Sequence, residues 1–187
     1  VTQMLWINLI MDTFAAMALS SLPADRTVLY DKPRNPDSHI IDRKMLCRIL
    51  GAGLLFFVLL AGLWQLLWHT HIDSVSDLLS PESLKLFFAG FSNMERIKSH
   101  LSGYELGVFF SIFVMLQFWN LFNAKYFRTD RSLIQDIARL FTNPNAVKES
   151  YSAGFLWIAF AILAGQFLIV TYAGAMFNVA PLSLADW

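Results

Sequence analysis

Cysteine is almost absent from this sequence: Cys47 is the only one, so the chain forms neither an internal disulfide nor a cysteine metal cluster. It reads as a small residue at a helix entrance. Net charge is missing as well. With 14 Lys and Arg against 14 Asp and Glu, there is no basic field to draw in a nucleic acid, and no nucleic-acid partner is expected. Charged residues make up only 15% of the chain, and they cluster between apolar runs. A secretory signal is also lacking, because the chain opens in a hydrophobic stretch without a basic leader or a cleavage site. The initiator methionine is missing and the sequence stops abruptly at Trp187, so a piece of a longer chain is expected.

What the sequence does contain is apolar. At 56% hydrophobic and 15% aromatic residues, with a mean hydropathy of +0.50, the composition is that of a membrane protein. The expected fold is all-α, a polytopic transmembrane helical bundle with four membrane spans. They are residues 1–22, 46–68, 105–124 and 153–174, each about as long as the roughly 20 helical residues that cross a hydrocarbon core. Trp64 and Trp68 near the end of the second span suit an interfacial aromatic belt.

The linkers differ in chemistry. Residues 23–45 carry turn-formers and Asp31-Lys32-Pro33-Arg34-Asn35-Pro36-Asp37, whose prolines rule out a long helix. In residues 69–104 the stretch Ser80–Phe91 predicts a short helix: Ser80 caps it, Pro81 takes its first position and Glu82 complements its N-terminus. Leu84, Phe87, Phe88 and Phe91 recur at helical spacing there, for the membrane surface or for neighbouring helices. His69 and His71 form an HxH pair, but without further ligands in the loop they read as surface residues. In residues 125–152, Leu133, Ile134, Ile137, Leu140 and Phe141 predict an amphipathic helix at the membrane surface, ended by Asn143-Pro144-Asn145. Residues 175–187 read as a short loop leading to a further helix.

Lysine and arginine assign the sides. Arg26, Lys32, Arg34, Arg43, Lys44 and Arg48 flank the first linker, and Lys125, Arg128, Arg131, Arg139 and Lys148 sit in the third. The second has only Lys85, Arg96 and Lys98, and the tail has none. The first and third linkers are therefore expected in the cytoplasm, the second and the tail outside.

The polar residues inside the spans carry the functional question. Asn8 and Asp12 interrupt an otherwise apolar first span, and a carboxylate at a helix centre costs about 2.5–3.5 kcal/mol even on lenient scales. On an α-helix positions i and i+4 share a face, so the two present hard oxygen ligands to one space, the type that Ca²⁺ and similar ions prefer. Two other readings stay open at this level: Asp12 as a buried partner of a polar group in a membrane scaffold, and a secondary transporter with an ionisable group at the midplane. On the third span Gln117, Asn120 and Asn123 form one polar stripe, read as helix packing ahead of ion ligation.

The stretch Gln3–Pro23, QMLWINLIMDTFAAMALSSLP, resembles the sixth transmembrane helix of P-type calcium-transporting ATPases, specifically the plasma-membrane-type subgroup. LYDKPRNPDSHIIDRKM resembles that family's cytoplasmic loop, FVMLQFWNLFNA its eighth helix, and AGAMF with PLSLADW the loop before its tenth. The resemblance covers essentially the whole chain. It implies the C-terminal membrane segment of an ATP-driven calcium export pump, multi-pass in the cell membrane. Its partners would be the lipid bilayer and the remaining helices and cytoplasmic domains of the same pump. By position, Asn8 and Asp12 match the two oxygen ligands that this helix gives to the transported Ca²⁺. Met11 and Gln117 depart from the two-calcium relatives in the way of the plasma-membrane type, and are left out of the ligand set. Secretory-pathway-type pumps, which also move Mn²⁺, share the Asn and Asp pair and are the alternative. No DKTG or TGE motif and no nucleotide-binding domain is found, so Mg²⁺ and ATP belong to the full-length protein and this piece is expected to be inactive alone. Ca²⁺ takes about 6–8 oxygens, more than Asn8 and Asp12 provide.

Overall fold

In a computed structural model, residues 2–22, 30, 41–90, 100–126, 135 and 152–187 are described. In chain order the elements are α1 (Thr2–Leu5), a π-helical segment (Trp6–Met11), α2 (Asp12–Ser20), α3 (Arg43–His69), a 3-10 turn (Val75–Leu79), α4 (Pro81–Gly90), α5 (Gly103–Lys125), α6 (Ala153–Tyr172) and α7 (Gly174–Phe177). The described residues contain no strand. This is what lipid demands: without water, backbone N–H and C=O groups must be satisfied within each segment.

Polar residues at the edges of the apolar runs start these helices. Asp42 accepts a hydrogen bond from the Met45 backbone N–H at 2.6 Å, so α3 begins at Arg43, three residues before the expected run. Ser80 caps α4 as expected, accepting from the Ser83 N–H at 3.2 Å. Ser102 and Glu105 make a capping box at the start of α5: the Glu105 N–H donates to the Ser102 hydroxyl oxygen at 3.2 Å and the Ser102 N–H to Glu105 at 2.9 Å. Ser152 caps α6 through the Phe155 N–H at 3.0 Å.

Among the described residues, three helices are long and apolar enough to cross a membrane: α3, α5 and α6, with 27, 23 and 20 residues. At about 1.5 Å per residue each reaches about 30 Å or more. The first expected span differs. Thr2–Ser20 runs without a gap, yet it is divided into α1, the π segment and α2, and no one of these is long enough alone. The fourth expected span also ends sooner. Ala173 leaves helical geometry (φ −104°, ψ 16°), and α7 is a separate turn capped by Asn178 in the left-handed region at φ 53°. The expected amphipathic helix around Leu133–Phe141 and the proline-rich linker lie outside the described residues.

The chain divides into two compact units. One comprises Val1–Leu5, Leu54–Leu116 and Ala164–Trp187. Its core includes Leu67, Ile72, Val108, Phe110, Val114 and Val170. The Ala180 N–H donates to the Gly103 carbonyl at 2.8 Å, the Val75 N–H to Asp186 at 3.0 Å, and Trp187 packs on Phe167 at 5.3 Å between centroids, so the tail returns to this unit. The Ser183 hydroxyl first, then the Val75 N–H, hold the Asp186 carboxyl below its ordinary value and keep it an acceptor.

The other unit comprises Trp6–Gly53 and Gln117–Leu163. Ala18, Phe118, Leu121, Phe155, Ala159 and Ile162 are buried there, and Phe122 meets Phe155 edge-on at 5.4 Å. The Ser21 and Ser152 hydroxyls are 3.0 Å apart. A Cβ on Gly154 would stand 3.2 Å from the Ser21 Cβ, so a small residue serves this approach.

Candidate functional site

Asn8 sits within the π segment Trp6–Met11, and Asp12 is the first residue of α2. The expected i, i+4 pair therefore straddles the place where the helix returns from the wider π winding to α. Such insertions are uncommon and occur frequently at functional sites, because one extra residue in a hydrogen-bonded turn re-aims the side chains around it. Both side chains are exposed, and among the described residues neither has a hydrogen-bond or ion-pair partner. The adjacent Ile7 is buried, as is Ala18 farther along. Two oxygen-bearing side chains thus stand exposed on a helix that buries Ile7 and Ala18 and also exposes Met4, Leu5 and Met17. The described residues offer no cluster of three or more His, Cys, Asp or Glu that would hold a metal by themselves.

The remaining polar candidates have other surroundings. Gln117 and Asn120 are half-buried and Asn123 is exposed, flanking the buried stripe Val108, Ser111, Val114, Phe118 and Leu121 of α5. His71 is largely exposed and its Nδ1 lies 3.4 Å from a carboxylate oxygen of Glu105, which is fully buried. One group, the lone Gln166 of the fourth expected span, stands out in sequence but without a role. Gln166 is 0% exposed, and its amide nitrogen and oxygen have no partner among the described residues. An unpaired buried polar group costs about 1–3 kcal/mol. The signal was there, a lone amide in the apolar run AGFLWIAFAILAGQFLIVTYAG, but nothing in the run said which side of α6 was packed.

Comparison with known proteins bears on this arrangement. The model of the family "Cation transporting ATPase, C-terminus" matches residues 1–187. The chain belongs to that family. Among curated proteins, this family member is 30% identical over 190 residues to plasma membrane calcium-transporting ATPase 3 of Homo sapiens, covering 99% of the chain and 13% of that protein. It is likewise 30% identical to plasma membrane calcium-transporting ATPase 2 of Oreochromis mossambicus (99% and 14%) and to plasma membrane calcium-transporting ATPase 1 of Oryctolagus cuniculus (99% and 13%). The chain thus spans about an eighth of the length of these relatives. As a member of the cation-transporting ATPase C-terminal family with apolar helices of spanning length, it is a multi-pass protein of the cell membrane.

Proposed function

We propose that this chain is the C-terminal membrane segment of an ATP-driven calcium export pump, and that Asn8 and Asp12 give side-chain oxygens to the transported ion. The observation that carries the reading is the coincidence of two independent features. A match to cation-transporting ATPases covers the whole chain, and within it the one carboxylate of the first apolar stretch sits where the helix winding changes. Residues 1–22, 46–68, 105–124 and 153–174 then cross the bilayer, with 23–45 and 125–152 in the cytoplasm and 69–104 and 175–187 outside. Thr2–Ser20, continuous through its π segment, has just under the length of a span at about 1.5 Å per residue.

Asn8 supplies a neutral oxygen and Asp12 a charged one. Neighbouring helices of the full-length protein complete the shell, and its cytoplasmic domains use ATP with Mg²⁺. Phosphorylation remote from the membrane shifts helix positions, so the same oxygens bind the ion tightly in one state and weakly in the other. Coupling of this kind requires that difference in affinity, about 1.4 kcal/mol for each factor of ten. The relatives reported above are named for calcium, which favours this ion over a Ca²⁺ and Mn²⁺ pump of the secretory-pathway type.

The test is ATPase activity of the full-length protein titrated with Ca²⁺, Mn²⁺ and other divalent cations. Stimulation by Ca²⁺ well below the concentration needed for Mn²⁺ is expected. Equal or stronger stimulation by Mn²⁺ would move the assignment to the secretory-pathway type, and no stimulation by any cation would remove the pump reading.

A further inference from the structure

Asp12 opens α2 directly after the π segment, and Ser21 follows the last residue of the same helix. The Ser21 hydroxyl donates to the Ala18 carbonyl at 2.8 Å, and its oxygen lies 3.0 Å from the Ser152 hydroxyl oxygen. A hydroxyl carries one proton, so with that of Ser21 committed to Ala18, Ser152 is the donor between the two serines. Ser152 in turn accepts from the Phe155 N–H at 3.0 Å. The bonds therefore all run one way: Phe155 N–H to Ser152, Ser152 to Ser21, Ser21 to the Ala18 carbonyl. They join an N–H of the first turn of α6, which has no intrahelical acceptor, to a carbonyl of the last turn of α2. The positive end of one helix dipole thus meets the negative end of another, and hydrogen bonds in such a chain strengthen one another. Ala18 and Phe155 are fully buried. Gly154 lets the two helix ends come this close, since a Cβ there would stand 3.2 Å from the Ser21 Cβ and 3.3 Å from its hydroxyl oxygen. All of these residues lie in the same compact unit as Asn8 and Asp12.

We propose that Ser21 and Ser152 are positioning residues of the ion site, a hydroxyl clasp that fixes the foot of α2 on the start of α6 and thereby fixes where Asp12 stands. This rests on the assignment of Asn8 and Asp12 as ion ligands. α2 is a regular α-helix of nine residues, so it moves as a rod between its two ends. From Ser21 to Asp12 is about 13.5 Å at about 1.5 Å per residue, and a tilt of about 3° at the foot carries the Asp12 backbone about 0.7 Å. Ligand groups must be held within about 0.5 Å of their productive positions. The π segment at the other end of α2 is a poor reference, because its winding is the irregular part of the helix. Without the clasp, packing alone holds the foot of α2. The carboxylate then ranges beyond that tolerance, and ion affinity falls although no ligand has been removed.

The test uses the full-length protein with Ser21→Ala, Ser152→Asp and Ser152→Thr. Alanine removes the middle of the chain and leaves the cap of α6 in place. Aspartate still caps α6 but has no proton to donate to Ser21, whereas threonine keeps both the cap and the donor. The net contribution of one hydrogen bond predicts that Ser21→Ala and Ser152→Asp raise the Ca²⁺ concentration for half-maximal phosphorylation by ATP about fivefold, while Ser152→Thr stays within about twofold of the parent. Phosphorylation by ATP at saturating Ca²⁺, and by inorganic phosphate without Ca²⁺, is expected to be unchanged in all three, a split that a merely structural role would not give. Ser21→Ala or Ser152→Asp with the parent's Ca²⁺ dependence overturns the proposal, as does Ser152→Thr as impaired as Ser152→Asp. Loss of the inorganic-phosphate reaction in Ser21→Ala or Ser152→Asp overturns it too, since the clasp would then serve folding alone. Asp12→Asn, measured alongside, separates the two levels. If it keeps normal Ca²⁺ dependence the ion-site reading fails, whereas an inactive Asp12→Asn beside a normal Ser21→Ala removes only the positioning role.

Discussion

Asp12→Asn in the full-length protein is expected to abolish calcium-dependent phosphorylation by ATP while phosphorylation by inorganic phosphate and membrane insertion persist. The substitution keeps the size of the side chain and one oxygen, so packing is preserved and only charge is lost. Removing one partner of a desolvated charge pair costs about 3–5 kcal/mol. At about 1.4 kcal/mol per tenfold, that is a loss of ion affinity of more than about a hundredfold. Asn8→Ala removes a neutral oxygen and should act in the same direction with a smaller effect. The readout is phosphoenzyme formed from ATP across a Ca²⁺ titration. Normal Ca²⁺ dependence in Asp12→Asn would mean that the carboxylate is not a ligand.

Gly174→Ala is the second substitution with a large expected effect, this time on stability. A Cβ there would lie 2.5 Å from the Val179 carbonyl oxygen, a backbone atom that cannot rotate away. The methyl group must push the tail off the end of α6, at the expense of the Val179-to-Gly174 bond and the neighbouring Ala180-to-Gly103 bond. Gly107→Ala meets the same tail from α5, with its Cβ 2.9 Å from the Ala180 carbonyl oxygen. Overpacking of this kind costs about 1–3 kcal/mol per site, with Gly174 at the upper end. Gly51 on α3 is the control, since nothing lies within 4 Å of its Cβ position. Thermal inactivation of the full-length protein should therefore be faster for Gly174→Ala and Gly107→Ala and no faster than the parent for Gly51→Ala, which adds a methyl group in open space within a helix. A Gly174→Ala protein as stable as the parent would mean that the tail does not pack at this position.

What the sequence revealed and what it hid follow from the solvent. Three of the apolar runs were legible because lipid forces a run of that length into helix, and Ser80-Pro81-Glu82 announced α4 because a cap, a proline at the first position and an acid are local signals. The Ser102–Glu105 capping box was equally visible as a Ser and a Glu three residues apart, but Ser102 lay in a stretch read as linker and Glu105 at the start of the expected span. Asp42 was missed for a related reason: the apolar pattern starts at Leu46, whereas the helix starts at its cap. The packed faces of α5 and α6 were not legible. Both sequences are apolar nearly all round, so no periodicity separates the side that meets protein from the side that meets lipid. Phe155, Ala159, Ile162, Gln166 and Val170 form one stripe on α6 that only the structure shows.

At the candidate site, the two residues were found by chemistry and their backbone was not. A carboxylate in an apolar run is conspicuous whatever its conformation, so Asp12 and Asn8 stood out. The π winding of Trp6–Met11 was hidden because helix propensity distinguishes residue types only weakly, and WINLIM contains neither proline nor glycine to mark a break. Return of the tail onto Gly103 and Val75 was hidden as well, since a hydrogen bond between residues far apart in the chain leaves no local pattern.

The most direct measurement is the structure of the full-length protein with Ca²⁺ bound. The account predicts an oxygen of Asn8 and an oxygen of Asp12 in the ion's coordination shell, each at about 2.3–2.6 Å, with the turn between Trp6 and Met11 still wound as a π segment. A bound ion whose shell omits both residues, with their side chains facing acyl chains or holding a neighbouring helix, would contradict it.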